Sequence, residues 1–218
     1  MIRELLFSWV GAKSCLYCNS AVADFAERTL CNACLGQIHL LDQPANLIHL
    51  DRQYFSEARS AAAYEGPLME LIHQWKFSKK QNVFHVLSDC LSKTRLPQKK
   101  YDWIVPVPLH PFRFLKRGFN PAKMLADVVC QRQNGQVRSL LRRRFGKHPQ
   151  VGLEASARLQ NIKGQFFLKP KYSCVAKGSA CLLVDDVLTT GATVNECARV
   201  LRQAGAERVD VLTLARTL

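Results

Sequence analysis

LLVDDVLTTGAT, residues 182–193, sets an apolar run, two adjacent carboxylates and a turn rich in Thr and Gly in immediate succession. An uninterrupted apolar stretch such as SACLLVDD (179–186) reads as a strand buried on both faces. TTGATVNECARVLRQAG (189–205) has the spacing of an amphipathic helix closed by Gly205, and ERVDVLTLAR (207–216) reads as a second strand. Strand, helix and strand in direct order form a βαβ unit, so the predicted fold is α/β with a parallel sheet flanked by helices.

The chemistry of that turn follows from its residue types. The first N–H groups of a helix are unpaired and sit at the positive end of the helix dipole, so they attract phosphate. Thr189, Thr190 and Thr193 add hydroxyls, and Gly191 lets the backbone approach an anion closely. Asp185 and Asp186 would repel a phosphate, so they are read as accepting hydrogen bonds from sugar hydroxyls, directly or through a divalent cation. Phosphate and sugar together indicate a ribose phosphate.

Upstream, YDWIVPVPLH (101–110) reads as a buried strand ended by Pro106 and Pro108, which cannot donate to a central ladder. Asn120 is a natural cap for a helix that starts at Pro121, PLMELIHQWKF (67–77) opens a second helix at Pro67, and Asn82–Leu91 has the pattern of a third. Residues 142–166 are rich in Arg, Gln, Gly and Lys, which predicts an exposed loop with a short helix near Ala155–Asn161.

The chain of 218 residues has a net charge of +14, with 48% hydrophobic and 22% charged residues, the profile of a folded globular protein. Positive charge is concentrated: residues 111–150 hold ten cations, among them Arg113, Arg117 and Arg142–Arg144, against the single acid Asp127. Such a block draws a polyanion or a small polyphosphate, or simply faces solvent. The opening MIRELLFSWVGAKSCLYC does not resemble a signal peptide, and no apolar run reaches the roughly 18 residues of a membrane span, so a cytoplasmic protein is expected. In that compartment the nine cysteines are expected to be reduced. Cys15 and Cys18, then Cys31 and Cys34 after twelve residues, have the paired spacing of a tetrahedral structural Zn2+ site. His39 and His49 are read as surface or packing residues, and Cys90, Cys130, Cys174, Cys181 and Cys197 as small buried hydrophobes. The change of composition after Pro44 divides the chain into a zinc-ribbon-like four-cysteine domain at 1–50 and a main domain at 51–218.

The stretch from Asp185 and Asp186 through Val187, Leu188, Thr189, Thr190, Gly191 and Ala192 to Thr193 resembles the signature of type I phosphoribosyltransferases. The resemblance narrows to the ComF family of competence proteins. It extends over AAAYEGPLMELIHQWKF, IVPVPLHPFRFLKRGFNPAKMLA, the spaced Gln150, Leu153, Arg158 and Asn161, the C-terminal βαβ unit and the cysteine knuckles. The family pattern usually has Gln where this chain has Pro121. The resemblance implies that Asp185 and Asp186 are the catalytic pair holding the ribose hydroxyls, and that the following loop cradles the 5′-phosphate. It places the pyrophosphate at the turn of Val107, Pro108 and Leu109 with Arg113 and Arg117, near Asn120. Arg142, Arg143, Arg144 and Arg158 fall where a flexible loop closes, or where DNA is met.

The implied ligand is phosphoribosyl pyrophosphate with Mg2+, and the implied role is bringing single-stranded DNA into the cytoplasm, with a DNA-uptake ATPase or another competence protein as partner. Phe112, Phe114 and Phe119 are candidates for base stacking, with at least one of them expected in the core. The alternative is an active phosphoribosyltransferase that acts on a base or amine of unspecified identity in nucleotide metabolism.

Overall fold

The structure is a computed structural model, and it describes residues 13–22, 30–47, 50–78, 81–98, 100–133, 135–145, 162–172 and 176–218. Two short strands, β1 (Lys13–Ser14) and β2 (Ala21–Val22), pair antiparallel and are followed by the single-turn helix α1 (Asn32–Leu35). The main sheet then begins with β3 (Ala58–Ala63), and helices α2 (Gly66–Ser78) and α3 (Gln81–Ser92) follow it. Next come β4 (Trp103–Pro106), α4 (Pro111–Arg117), α5 (Pro121–Cys130) and the two-residue strand β5 (Gln136–Val137). A hairpin-like pair, β6 (Leu141–Arg143) and β7 (Phe166–Leu168), precedes β8 (Ala180–Leu188), α6 (Ala192–Gln203) and β9 (Arg208–Arg216).

The five main strands are parallel in the order β3-β9-β8-β4-β5. Both faces are buried, as the apolar run predicts, and successive residues of β8 serve opposite layers. Leu182 and Val184 join Leu71, Ile72, Trp75, Leu87 and Leu125 on one side, whereas Cys181 and Leu183 join Leu140, Cys197 and Leu201 on the other. Each fully buried Leu of this kind contributes about 2 kcal/mol.

The β3 edge is covered by the chain before it. Ala63 N donates to His39 O at 2.9 Å, Leu41 N to Ala61 O at 2.9 Å and Ala45 N to Ala58 O at 2.7 Å, so the edge offers few unpaired groups to another chain.

Three local expectations change. β8 runs on to Leu188 instead of ending at Asp186, because β9 stays beside it and pairs Val187 with Ala215 and Leu188 with Arg216. α6 starts at Ala192, since residue 191 is left-handed (φ 72°) and residues 189–191 form the turn. Of the loop expected at 142–166, the two described ends are strand: Arg142 pairs with Phe167 and Arg143 with Phe166, because burial of Leu141 and Phe166 holds this pair of strands against the core, and residues 146–161 lie outside the described residues. The short helix expected at 155–161, with Gln150, Leu153 and Arg158, lies outside the described residues, as do His49 and Cys174. Among the described residues, no helix is long and apolar enough to cross a membrane.

Candidate functional site

The site lies where the order of strand connection reverses. From β4 the chain moves to β5 on one side, and from β8 it moves through α6 to β9 on the other, so a crevice opens at the carboxyl ends of β4 and β8. Residues from both strand ends line a cavity of about 170 Å³ there.

At the end of β4, Val107 N donates to Val184 O at 2.9 Å, which holds the turn against β8. Asn120 works in two directions: its Oδ1 accepts from Ala122 N at 3.2 Å as the cap of α5, and its Nδ2 donates to Val107 O at 3.0 Å. Pro121 occupies the first helical position, where a missing N–H costs nothing, so this departure from the family pattern leaves Asn120 in place. Val107, Pro108 and Leu109 line the cavity, and Arg113 and Arg117 reach it from α4. Burial pulls the Arg117 guanidinium below its ordinary range, partly offset by Asp186.

At the end of β8, Asp185, Asp186 and Val187 line the opposite wall with Thr193 from α6. Asp185 Oδ1 accepts the Asp186 N–H at 2.9 Å. Burial, then the neighbouring charge of Asp186, pushes the Asp185 carboxyl up to about 7. Leu188 and Ala192 are buried, so of the predicted loop they contribute backbone and packing. A Cβ at Gly191, which has φ 72°, would lie 2.6 Å from Leu47 Cδ1. The stretch before β3 is also tied to the first turn of α6: Asn195 Oδ1 accepts from Tyr54 N at 2.8 Å and its Nδ2 donates to Arg52 O at 2.7 Å.

Two features of the site are not visible in the motifs. Lys76 Nζ lies 2.9 Å from Asp186 Oδ2, with the two side chains 15% and 17% exposed. Leu68, Ile72 and Lys76 follow one another at intervals of four on α2, so a lysine on an otherwise apolar stripe was the available signal. The arginine triplet also divides. Arg143 lines the cavity, donates from Nε and Nη2 to Gln165 Oε1 at 3.2 Å each and lies over the Phe166 ring, whereas Arg142 and Arg144 are exposed. Burial, then the like charge of Arg113, lowers the Arg143 guanidinium from its usual range.

Beside the cavity is an exposed ridge of aromatic and basic side chains. Phe77, Phe112, Phe114, Leu115 and Phe145 are exposed large hydrophobics. Lys116 and Arg117 lie over the Phe77 ring at 5.9 and 5.7 Å, and Phe112 meets Phe145 edge-on. Phe119 instead packs on Trp75 within the core, with ring centroids 5.8 Å apart. His110, beside the turn, is buried and stacked on Phe112.

At the other end of the chain, the sulfurs of Cys15, Cys18, Cys31 and Cys34 lie within 4.8 Å of one another. Cys18 Sγ and Cys31 Sγ are 3.7 Å apart. Two thiolates at about 2.3 Å from one tetrahedral zinc ion would be about 3.8 Å apart, so the cluster fits a metal ion of that kind. The Ser20 hydroxyl, 3.0 Å from Cys18 Sγ, holds that thiol below its ordinary range. His39 is exposed and pairs with Glu65, and Cys90, Cys181 and Cys197 are buried, as read from the sequence. A separate cavity of about 160 Å³, lined by Leu30, Leu35, Ile38 and Val86 together with Asp89 and Lys93, lies between this module and α3, away from the crevice.

A family model described as the phosphoribosyl transferase domain matches residues 114–217, from within α4 to the end of β9, which include the β8 wall of the crevice. The fold and site thus define a phosphoribosyltransferase-like domain. Competence protein F of Haemophilus influenzae is 30% identical over 213 residues, covering 93% of this chain and 84% of its own. DNA utilization protein YhgH of Escherichia coli is 36% identical over 166 residues, covering 73% of this chain and 71% of its own. Competence protein ComFC of Streptococcus pneumoniae is 30% identical over 158 residues, covering 72% and 67%. The chain belongs to this family of competence and DNA utilization proteins.

Proposed function

We propose that the protein serves natural transformation, handling single-stranded DNA as it enters the cytoplasm, and that its crevice binds phosphoribosyl pyrophosphate. The observation that carries the ligand is the charge of the cavity: Lys76, Arg113, Arg117 and Arg143 converge on it beside two carboxylates at a strand-to-helix turn. Four cations suit a diphosphate ester, and the guanidinium forks of the arginines match phosphate oxygens in pairs. In this reading Asp185 and Asp186 take the ribose hydroxyls. The turn from Val187 to Thr193 takes the 5′-phosphate, and Val107–Leu109 with Arg113 and Arg117 take the pyrophosphate.

The aromatic and basic ridge is the DNA-contacting surface of this reading. Phe77, Phe112 and Phe114 supply faces for bases, and Lys116, Arg142 and Arg144 attract the backbone. Residues 1–50 form the four-cysteine unit, holding structural Zn2+, and residues 51–218 form the phosphoribosyltransferase-like domain. The zinc unit is the surface offered to another competence protein such as a DNA-uptake ATPase.

Calorimetry with phosphoribosyl pyrophosphate tests the ligand: the intact chain should bind, and a variant with Asp185→Asn and Asp186→Asn should lose at least about a hundredfold in affinity. Absence of binding by the intact chain would overturn this assignment. For DNA, affinity for an oligonucleotide should fall steeply with salt and weaken in an Arg142→Glu, Arg144→Glu variant.

A further inference from the structure

The acidic pair does not present a vacant cation site. One oxygen of Asp185 already takes the Asp186 N–H, and the Lys76 ammonium is 2.9 Å from Asp186 Oδ2. Magnesium requires an octahedron of oxygens at about 2.0–2.1 Å and gives up its water reluctantly. A magnesium ion held by Asp186 on this side would have to displace Lys76 from a largely buried ion pair. The carboxylates therefore do not fit a protein-held divalent ion together with Lys76.

We infer that Lys76 is a tethered counter-cation of the acidic pair, doing for Asp186 what a divalent ion would otherwise do, so that the site takes its diphosphate ester with little dependence on Mg2+. The inference rests on the phosphoribosyl pyrophosphate reading above. Lys76 reaches this position because α2 runs past the carboxyl end of β8, and it lines the same cavity as Arg143 of β6. A lysine suits the task. Its ammonium has three donors on a four-carbon stem, so it can keep one on Asp186 and offer another to a ligand phosphate without moving the helix. Asp186 keeps its other oxygen for a ribose hydroxyl, and the one ammonium offsets charge on both the carboxylate and the phosphate. With Arg113, Arg117 and Arg143 also present, the cations needed to offset a diphosphate are supplied by the chain itself.

The test is calorimetric titration of the full chain with phosphoribosyl pyrophosphate, once with excess Mg2+ and once with a chelator. The unmodified chain should bind in both, with affinities within about threefold, whereas Lys76→Met should lose about thirtyfold or more in the chelator and recover to within about threefold in Mg2+. Lys76→Gln, which keeps a polar tip, carries the same expectation if the Met variant does not fold. A loss of equal size in the two conditions, or no loss, overturns the inference, as does an unmodified chain that binds only with Mg2+. If the unmodified chain binds in neither condition, the phosphoribosyl pyrophosphate reading itself falls, a result distinct from all of these.

Discussion

Strands β8 and β9 lie side by side, and each carries acid near one end, yet the two ends of the sheet treat a carboxylate in opposite ways. At the amino end Asp210 is fully buried, and both its oxygens are taken by groups that cannot easily leave. Oδ1 accepts from Glu57 N at 3.2 Å, and Oδ2 accepts from the Tyr101 hydroxyl at 2.9 Å and from Arg208 Nε at 2.7 Å. Burial, then Asp210, pushes the Tyr101 hydroxyl well above its usual range, so it stays a donor. At the carboxyl end Asp186 has a lysine on a flexible stem, and Asp185 has a backbone N–H and a neighbouring like charge that disfavours its ionised form. A saturated carboxylate holds a fold together. A carboxylate whose partners can be exchanged is ready for a ligand.

Four substitutions probe this contrast. Asp210→Asn should cost about 3 kcal/mol of stability in urea denaturation, because it breaks a buried charged network, while leaving phosphoribosyl pyrophosphate affinity within about twofold. If affinity fell as much as stability, the two ends would not be independent. Gly191→Ala should weaken ligand binding by about tenfold to thirtyfold: the left-handed backbone at that turn disfavours a Cβ by about 1–2 kcal/mol, and the methyl would also press on Leu47. Arg143→Gln should weaken binding by about tenfold, and Arg142→Gln by less than about twofold, although the two are adjacent in sequence. Equal effects would mean that the strand does not divide them.

The last test is of pH. In the folded chain Asp185 binds its proton up to about 7, whereas an unfolded Asp releases it near 4. The folded state therefore holds more protons between those values, and this contribution to stability is full below about 4 and lost as pH rises through about 7. That loss is about 2.5 kcal/mol between pH 5 and pH 7.5, so the melting temperature of the parent, relative to Asp185→Asn, should fall by roughly 5–10 °C over that range. A flat difference would place Asp185 among the ordinary solvated carboxylates.

Much of this could be read along the chain. The apolar run ending in Asp185 and Asp186, the cap at Asn120 and the knuckle spacing of Cys15 and Cys18 are local patterns whose physics acts within a turn or two of backbone. Lys76 was not legible as a partner of Asp186, because 110 positions separate them and only the packing of α2 beside β8 brings them together. The division of Arg143 from its neighbours was hidden for a related reason. It depends on Leu141 and Phe166 finding each other's strands, and the composition of that stretch resembles a loop. The strand order, with β3 and β4 separated by the two last strands, is likewise a long-range property.

That strand order has a consequence for biosynthesis. β3 and β4 never pair with each other: in the sheet they are joined only through β9 and β8, which are encoded after everything else in the sheet. A ribosome that has delivered residues 51–170 has released β3 and β4 as separate strands and the apolar faces of α2, α3 and α5 without β8 and β9, which complete their cover. At about 5–20 residues per second the remaining strands follow within several seconds, and for that interval the nascent chain is a client for holdase chaperones rather than a folding intermediate of its own.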